Sequence, residues 1–246
     1  IPYTYLKEIQ KANITQRLDF DQTSFRNEGH SVKFRVNRYE IAFYDKLKEL
    51  QKAKTSEKRA EEKDSAIQFG LFEKVSIRKP FELLRMEVRL NQRQKIQQVL
   101  RKIGLNIEPT FQSLFNTKIA KEVLLYHLDL IESSYPKLLY FKPKSDKDFV
   151  AQFIVDNPKA KLKDAIAALG FYNALEEIGT REIRELLKKY PRSSWYSFMK
   201  RMNGFTYTKN KLSPFEPIRN AINEFKPVKL FDFQDEMINN DKYNKK

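Results

Sequence analysis

Strict alternation of apolar and polar positions marks the first third of the chain. In RLDFDQTSF, residues 17–25, Leu18 and Phe20 fall on one side and Arg17, Asp19 and Asp21 on the other. NEGH, with Gly29, reads as a turn, and SVKFRV alternates again through Val32, Phe34 and Val36. Asn37-Arg38 can reverse the chain, and YEIAFY returns with Ile41 and Phe43 on the apolar side. A period of two belongs to strands with one buried face, so residues 16–44 are predicted to form a β-meander. LLRMEVRL, residues 83–90, is a further alternating run. Leu84, Met86, Val88 and Leu90 share one face; Arg85, Glu87 and Arg89 share the other.

Elsewhere the period is helical. TYLKEIQKAN, residues 4–13, spaces Tyr5, Leu6, Ile9 and Ala12 as one helix face. Residues 45–66 are helical and heavily charged, a solvated helix or an insertion rather than a binding site. NQRQKIQQVLRKIG reads as a helix stopped by Gly104. From residue 109 helices dominate, interrupted by the Pro-containing connector YPKLLYFKPKSDKDF. The tail from 211, punctuated by Pro214, Pro217 and Pro227, is predicted to be an extended arm with a fraying end. The fold class is therefore α+β. Residues 1–108 form an antiparallel-sheet domain, and residues 109–246 form a helical part.

TREIRELLKKY is predicted to bury Ile183, Leu186, Leu187 and Tyr190. PRS then breaks the helix, and Ser193 can cap the next one, whose apolar stripe is Trp195, Phe198, Met199 and Met202. Two short helices joined by a tight turn match a helix-turn-helix. Arg192, Ser194, Tyr196, Ser197, Lys200 and Arg201 remain on the outer face of the second helix. Residues 180–212 carry nine Lys or Arg against two Glu. That density suits phosphate and base contacts; a helical hairpin with a solvated basic face is the competing account.

Charge extends this beyond one segment. The chain has 246 residues and a formal charge of +15, and such a field attracts polyanions, nucleic acid foremost. Apolar residues make up 41%, enough for a packed core, and no run approaches a membrane span. The opening IPYTYLKEIQ lacks a basic region followed by an apolar one, so no secretory signal is expected there. Without cysteine, disulfides, zinc–thiolate sites and cysteine nucleophiles are excluded. Of the two histidines, His30 reads as a solvated turn residue and His127 as a packing residue.

If the strands share a buried face, the opposite face gathers Tyr44, Glu87, Arg85 and Arg89, with Ala42 leaving space beside Tyr44. A phenol oxygen can attack phosphorus, guanidiniums can hold phosphate, and a carboxylate can bind a cation. On the residues alone, ordinary strand alternation with Arg–Glu cross-strand pairs is the simpler account.

The run GHSVKFRVNRYEIAFYDKLKEL followed by LLRMEVRLNQRQKIQQVL resembles the initiator (Rep) proteins of rolling-circle plasmids and filamentous phages. The matching residues are Gly29 and Ser31, then Tyr44, Asp45 and Lys46, then Arg85, Glu87 and Arg89. TFQSLFNTKIAKEVLL and GTREIRELLKKYPRSSWYSFMKRM also resemble later parts of phage and plasmid replication proteins. The resemblance implies that Tyr44 nicks one strand at the origin and stays joined to the 5′ phosphate while the 3′ hydroxyl primes synthesis. Lys46 would lie near the scissile phosphate and Glu87 in the environment of a divalent metal, Mg or Mn. Single-stranded or cruciform origin DNA, a host helicase and the cytoplasm of a bacterial host are implied with it. In that family an acidic or His-bearing strand precedes the first helix, so the nicking domain is expected to lack its N-terminal portion. Asp19 is read as a hairpin residue and not as that ligand. The alternative is a non-enzymatic origin-binding or replication-control protein. An RNA-binding sheet ranks last, because the Phe residues fall mostly on buried faces by pattern.

Overall fold

The structure, a computed structural model, describes residues 2–14, 23–26, 30–49 and 83–226. Asp19, Gly29, the charged run past 49 and the tail past 226 lie outside the described residues. Helix α1 spans Pro2–Gln10, slightly earlier than predicted. Strands β1 (Thr23–Arg26), β2 (Ser31–Val36), β3 (Tyr39–Asp45) and β4 (Leu84–Leu90) form one antiparallel sheet in the order β1-β2-β3-β4. Asn37 and Arg38 make the predicted turn between β2 and β3.

Register follows the apolar pattern. Val32 lies opposite Phe43, and Phe34 opposite Ile41; all four are buried. Across the next pair, Ile41 faces Val88 and Phe43 faces Met86. A one-residue slip would send these side chains to the other face, so burial fixes the pairing. The other face is fixed with it.

Helix α2 (Arg93–Lys102) stops as predicted at Gly104, at φ +81, where Leu105 donates back to the Leu100 carbonyl at 2.8 Å. The short helix α3 (Phe111–Leu114) is capped by Thr110. Helix α4 (Thr117–Ser133) is capped by Asn116, whose Oδ1 accepts from the Lys118 and Ile119 amides. A 3₁₀ turn, Lys137–Tyr140, buries Leu138 and Leu139. Helices α5 (Asp146–Asp156), α6 (Leu162–Leu186), α7 (Arg192–Asn203) and α8 (Glu216–Glu224) complete the described chain. One cluster of buried side chains runs from Leu6 through the sheet to Ile222 and does not stop at residue 108. No described helix is long and apolar enough to cross a membrane.

Three local expectations are corrected. The tail holds α8 rather than only an extended arm: Phe215, Ile218 and Ile222 are buried, and Arg219 bridges to Asp129 at 2.6 Å and Glu132 at 2.7 Å on α4. The segment before α7 is a short helix as predicted, set off from the rest of α6 by a non-helical Gly179, but its buried face is Thr180, Ile183 and Arg184. Leu186, off that face, is 66% exposed; Leu187 and Tyr190 are exposed as well. Ser193 lies inside the first turn of α7, whose N-cap is Pro191. The stripe of α7 packs as predicted: Met202 is buried, and Trp195 and Phe198 meet Phe171 edge-on.

Gly179 kinks α6 at φ 74, ψ 168, a conformation open essentially to glycine alone. A Cβ there would also sit 3.4 Å from Lys11 Cα, where α6 crosses the end of α1. Gly179→Ala is expected to cost about 2 kcal/mol, a fall of roughly 4–8 °C in Tm for a chain of this size. Thermal unfolding followed by circular dichroism checks it; an unchanged Tm would contradict the strained geometry.

Candidate functional site

The polar face of the sheet carries the candidate site. Tyr44 stands at the end of β3 because the next residue ends the strand. Asp45 is buried, and its Oδ1 accepts from the Leu47 amide at 3.0 Å and the Lys48 amide at 3.2 Å. It thereby caps the helical turn 46–49. The Asp of the Tyr-Asp-Lys run thus has a local structural task, holding the strand end from which the Tyr44 ring projects.

Tyr44 lies opposite Arg85, Ala42 opposite Glu87, and Glu40 opposite Arg89. The Tyr44 hydroxyl donates to Glu87 Oε1 at 2.5 Å. Arg85 Nε lies 3.0 Å from the same oxygen, and Arg89 reaches the other Glu87 oxygen at 2.9 Å. Arg89 also reaches Glu40 at 3.3 Å, and Lys33 stands 3.5 Å from Glu40. Arg85 and Lys46 each approach the Tyr44 ring, both at 5.9 Å from its centroid. The Lys46 ammonium is bound at 2.7 Å by Glu49. Ala42 is buried, so the predicted open space beside Tyr44 is closed at that residue.

Burial, the Glu87 hydrogen bond and the nearby Glu49 charge push the Tyr44 phenol well above its ordinary value, against a smaller opposing pull from Arg85. For Glu87, burial alone would raise the pKa. The hydrogen bonds from Tyr44 and Arg89 and the charges of both arginines outweigh it and hold the carboxyl below 4.5. The resting pair is therefore a neutral phenol donating to a carboxylate.

The divalent metal implied by the resemblance needs several oxygen donors. Among the described residues no group of three or more His, Asp or Glu gathers as a cation site. Both oxygens of Glu87 are taken by Tyr44, Arg85 and Arg89. Among the described residues Glu87 by itself does not make a divalent-cation site.

The other predicted contact residues lie on α7, away from the sheet. Arg192, Ser194, Lys200 and Arg201 are exposed, and Tyr196 has the Arg184 guanidinium 5.7 Å from its ring centroid. Arg201 is not a free cation: it binds the buried carboxylate of Asp164 at 2.5 Å. Sequence reasoning missed that pair because the partners are far apart in the chain. It also missed Glu49, and it left Glu40 out of the network although Glu40 sits on the same strand face two residues before Ala42. His30 lies 3.8 Å from Asp45, and His127 is buried, its Nδ1 2.8 Å from the Val123 carbonyl. Three of the described phenylalanines are exposed against the expected pattern: Phe225, and Phe111 and Phe115, which stack on one another while 84% and 83% exposed.

Compared with known proteins, the chain matches no family, no curated protein and no solved structure.

The Glu87 network has a definite pH signature. Its folded pKa lies below 4.5, so its stabilisation is present above that value and is lost as pH falls through the folded value. The difference in Tm between the wild-type chain and Glu87→Gln is expected to be widest near neutral pH and to close as pH drops below 4.5. Melting curves across that range check it, and a pH-independent difference would contradict the network.

Proposed function

We propose that this chain is a rolling-circle replication initiator of the Rep type, nicking and rejoining single-stranded origin DNA through a Tyr44–5′-phosphate link. The observation supporting this reading is the Tyr44 hydroxyl at 2.5 Å from Glu87, with Arg85 on the same carboxylate and against the same ring. The resemblance in and around the Tyr-Asp-Lys and Arg-Met-Glu-Val-Arg runs supplies the substrate class.

The chain's own residues can carry the steps. Arg85 is 48% exposed along its side chain, and only its Nε meets Glu87. Among the described residues its two terminal nitrogens are available to a non-bridging phosphate oxygen. As the Tyr44 oxygen bonds to phosphorus, its proton passes to Glu87 Oε1 and the bond to the 3′ oxygen breaks. That oxygen leaves as a hydroxyl, taking a proton relayed through water, and Glu87 returns its own proton to solvent. Rejoining reverses each transfer. Ordinary phenol and carboxylate values, 10.0 and 4.5, lie more than five pH units apart, and both shifts widen the gap. Full proton transfer before attack would cost over about 7 kcal/mol at 1.36 kcal/mol per unit. Moving the proton together with phosphorus–oxygen bond formation avoids that cost.

A second reading is favoured by the same closed set of pairs. With Glu87 and Glu40 satisfied by cations and the phenol held protonated, the face can serve as a scaffold in a non-enzymatic origin-binding protein.

The test incubates the chain with single-stranded origin DNA and Mg²⁺ and looks for a covalent adduct that survives denaturing electrophoresis. Wild type is expected to form it. Tyr44→Phe should abolish it with binding nearly unchanged, because the ring still packs and only the attacking oxygen is lost. Glu87→Gln should slow it by roughly 10²–10⁴-fold, the usual worth of a positioned proton acceptor. Binding without any adduct would select the second reading; an adduct that persists in Tyr44→Phe would remove Tyr44 from the chemistry.

A further inference from the structure

Between the α5–α6 connector and the last turns of α7 lies a cleft of about 740 Å³. Lys159, Lys161 and Asp164 line it from one side, and Ser197, Lys200 and Arg201 from the other. Its two walls are pinned together. Arg201 binds Asp164 at 2.5 Å, and Asn157 exchanges two hydrogen bonds of 2.8 Å with the Thr206 backbone just beyond α7.

The charge of this cleft is unlike that of the sheet face. Asp164 is its only acidic residue. That carboxylate is consumed internally: one oxygen meets Arg201, and the other accepts from the Lys161 amide at 3.0 Å. Among the described residues the ammoniums of Lys159, Lys161 and Lys200 have no carboxylate at ion-pair distance. Three lysines without a carboxylate partner among the described residues therefore line one concave surface, an arrangement that favours entry of an anion. The Asp164 carboxylate sits in the first turn of α6, so the positive end of that helix is already answered. What remains are lysine point charges on flexible stems, which suit backbone phosphates rather than a planar or discrete headgroup.

We propose that this cleft holds the phosphate backbone of a nucleic-acid strand, a contact separate from the Tyr44 face. The proposal rests on the nicking reading only for the polymer's identity as DNA. Lys159 and Lys161 join Lys200 as contact residues, and Arg201 acts as a positioning residue through Asp164.

Fluorescence anisotropy with a labelled single-stranded DNA oligonucleotide over a range of salt concentrations tests it. Lys159→Ala/Lys161→Ala/Lys200→Ala is expected to bind more weakly and to lower the salt slope by about 2, since each single-strand phosphate contact contributes about 0.7. Lys102→Ala/Lys118→Ala/Lys147→Ala removes the same charge from exposed sites elsewhere and is expected to keep the wild-type slope. Equal slopes in the wild type and the cleft variant overturn the proposal, as does an equal loss in both triple variants. Displacement of the oligonucleotide by inorganic triphosphate at equal phosphate concentration also overturns it, because the site would then be a small-anion pocket. The adduct assay separates this proposal from the nicking reading. In the wild-type chain the adduct reports on Tyr44, and the salt slope reports on the cleft. Salt-dependent binding through the cleft with no adduct would count against nicking alone.

Discussion

Leu6, Ile9 and Ala12 have no exposed surface, and neither do Val32, Ile41 and Phe43 on the sheet. The first group, from α1 and the residue pair after it, is pressed onto the second. On the opposite side α1 is held by polar contacts. Lys11, almost fully buried, reaches Glu176 at 2.7 Å and Glu8 at 3.3 Å, and Thr180 donates to the Lys11 carbonyl at 3.2 Å. Each large apolar side chain buried this way contributes about 1.5–3 kcal/mol. Stripping a buried ammonium of its carboxylates would cost about 3–5 kcal/mol. The helix therefore joins the sheet to α6. By occupying the apolar face, it also leaves Tyr44, Glu87 and the arginines the opposite one.

Much of this was legible in the chain. Period-two alternation located β2, β3 and β4, assigned their faces and placed Tyr44 beside Glu87, because strand geometry alone decides which residues share a side. The misreadings have specific causes. Pro214 and Pro217 read as breakers, yet Pro217 stands in the first turn of α8, where a missing amide costs nothing. Phe215, Ile218 and Ile222 carried the helical spacing behind it. Leu186 looked apolar enough to be buried, but Thr180, Ile183 and Arg184 occupy the inner face of that helix. The Asp164–Arg201 pair had no signature in any local window, since only tertiary packing brings its members together.

The two basic surfaces differ in how their charge is answered. On the sheet, Lys33, Arg85, Arg89 and Lys46 are matched by Glu40, Glu87 and Glu49. A phosphate arriving there meets the terminal nitrogens of Arg85 beside carboxylates that already hold the other cations, which favours a site that exchanges partners. In the cleft beside α7 the lysines face no carboxylate but one already neutralised. The strand-holding proposed for the cleft and the chemistry proposed at Tyr44 thus occupy two differently charged places on one chain.

Trp195, set against Phe171 and Phe198, is the only tryptophan in the chain, and it shares α7 with Lys200 and Arg201. The molecule therefore carries a built-in optical reporter beside the basic cleft. Its emission colour and quenching by iodide or acrylamide can be followed in the unlabelled protein. A shift in α7 against α6 would register there, while events confined to the sheet would pass without changing its light.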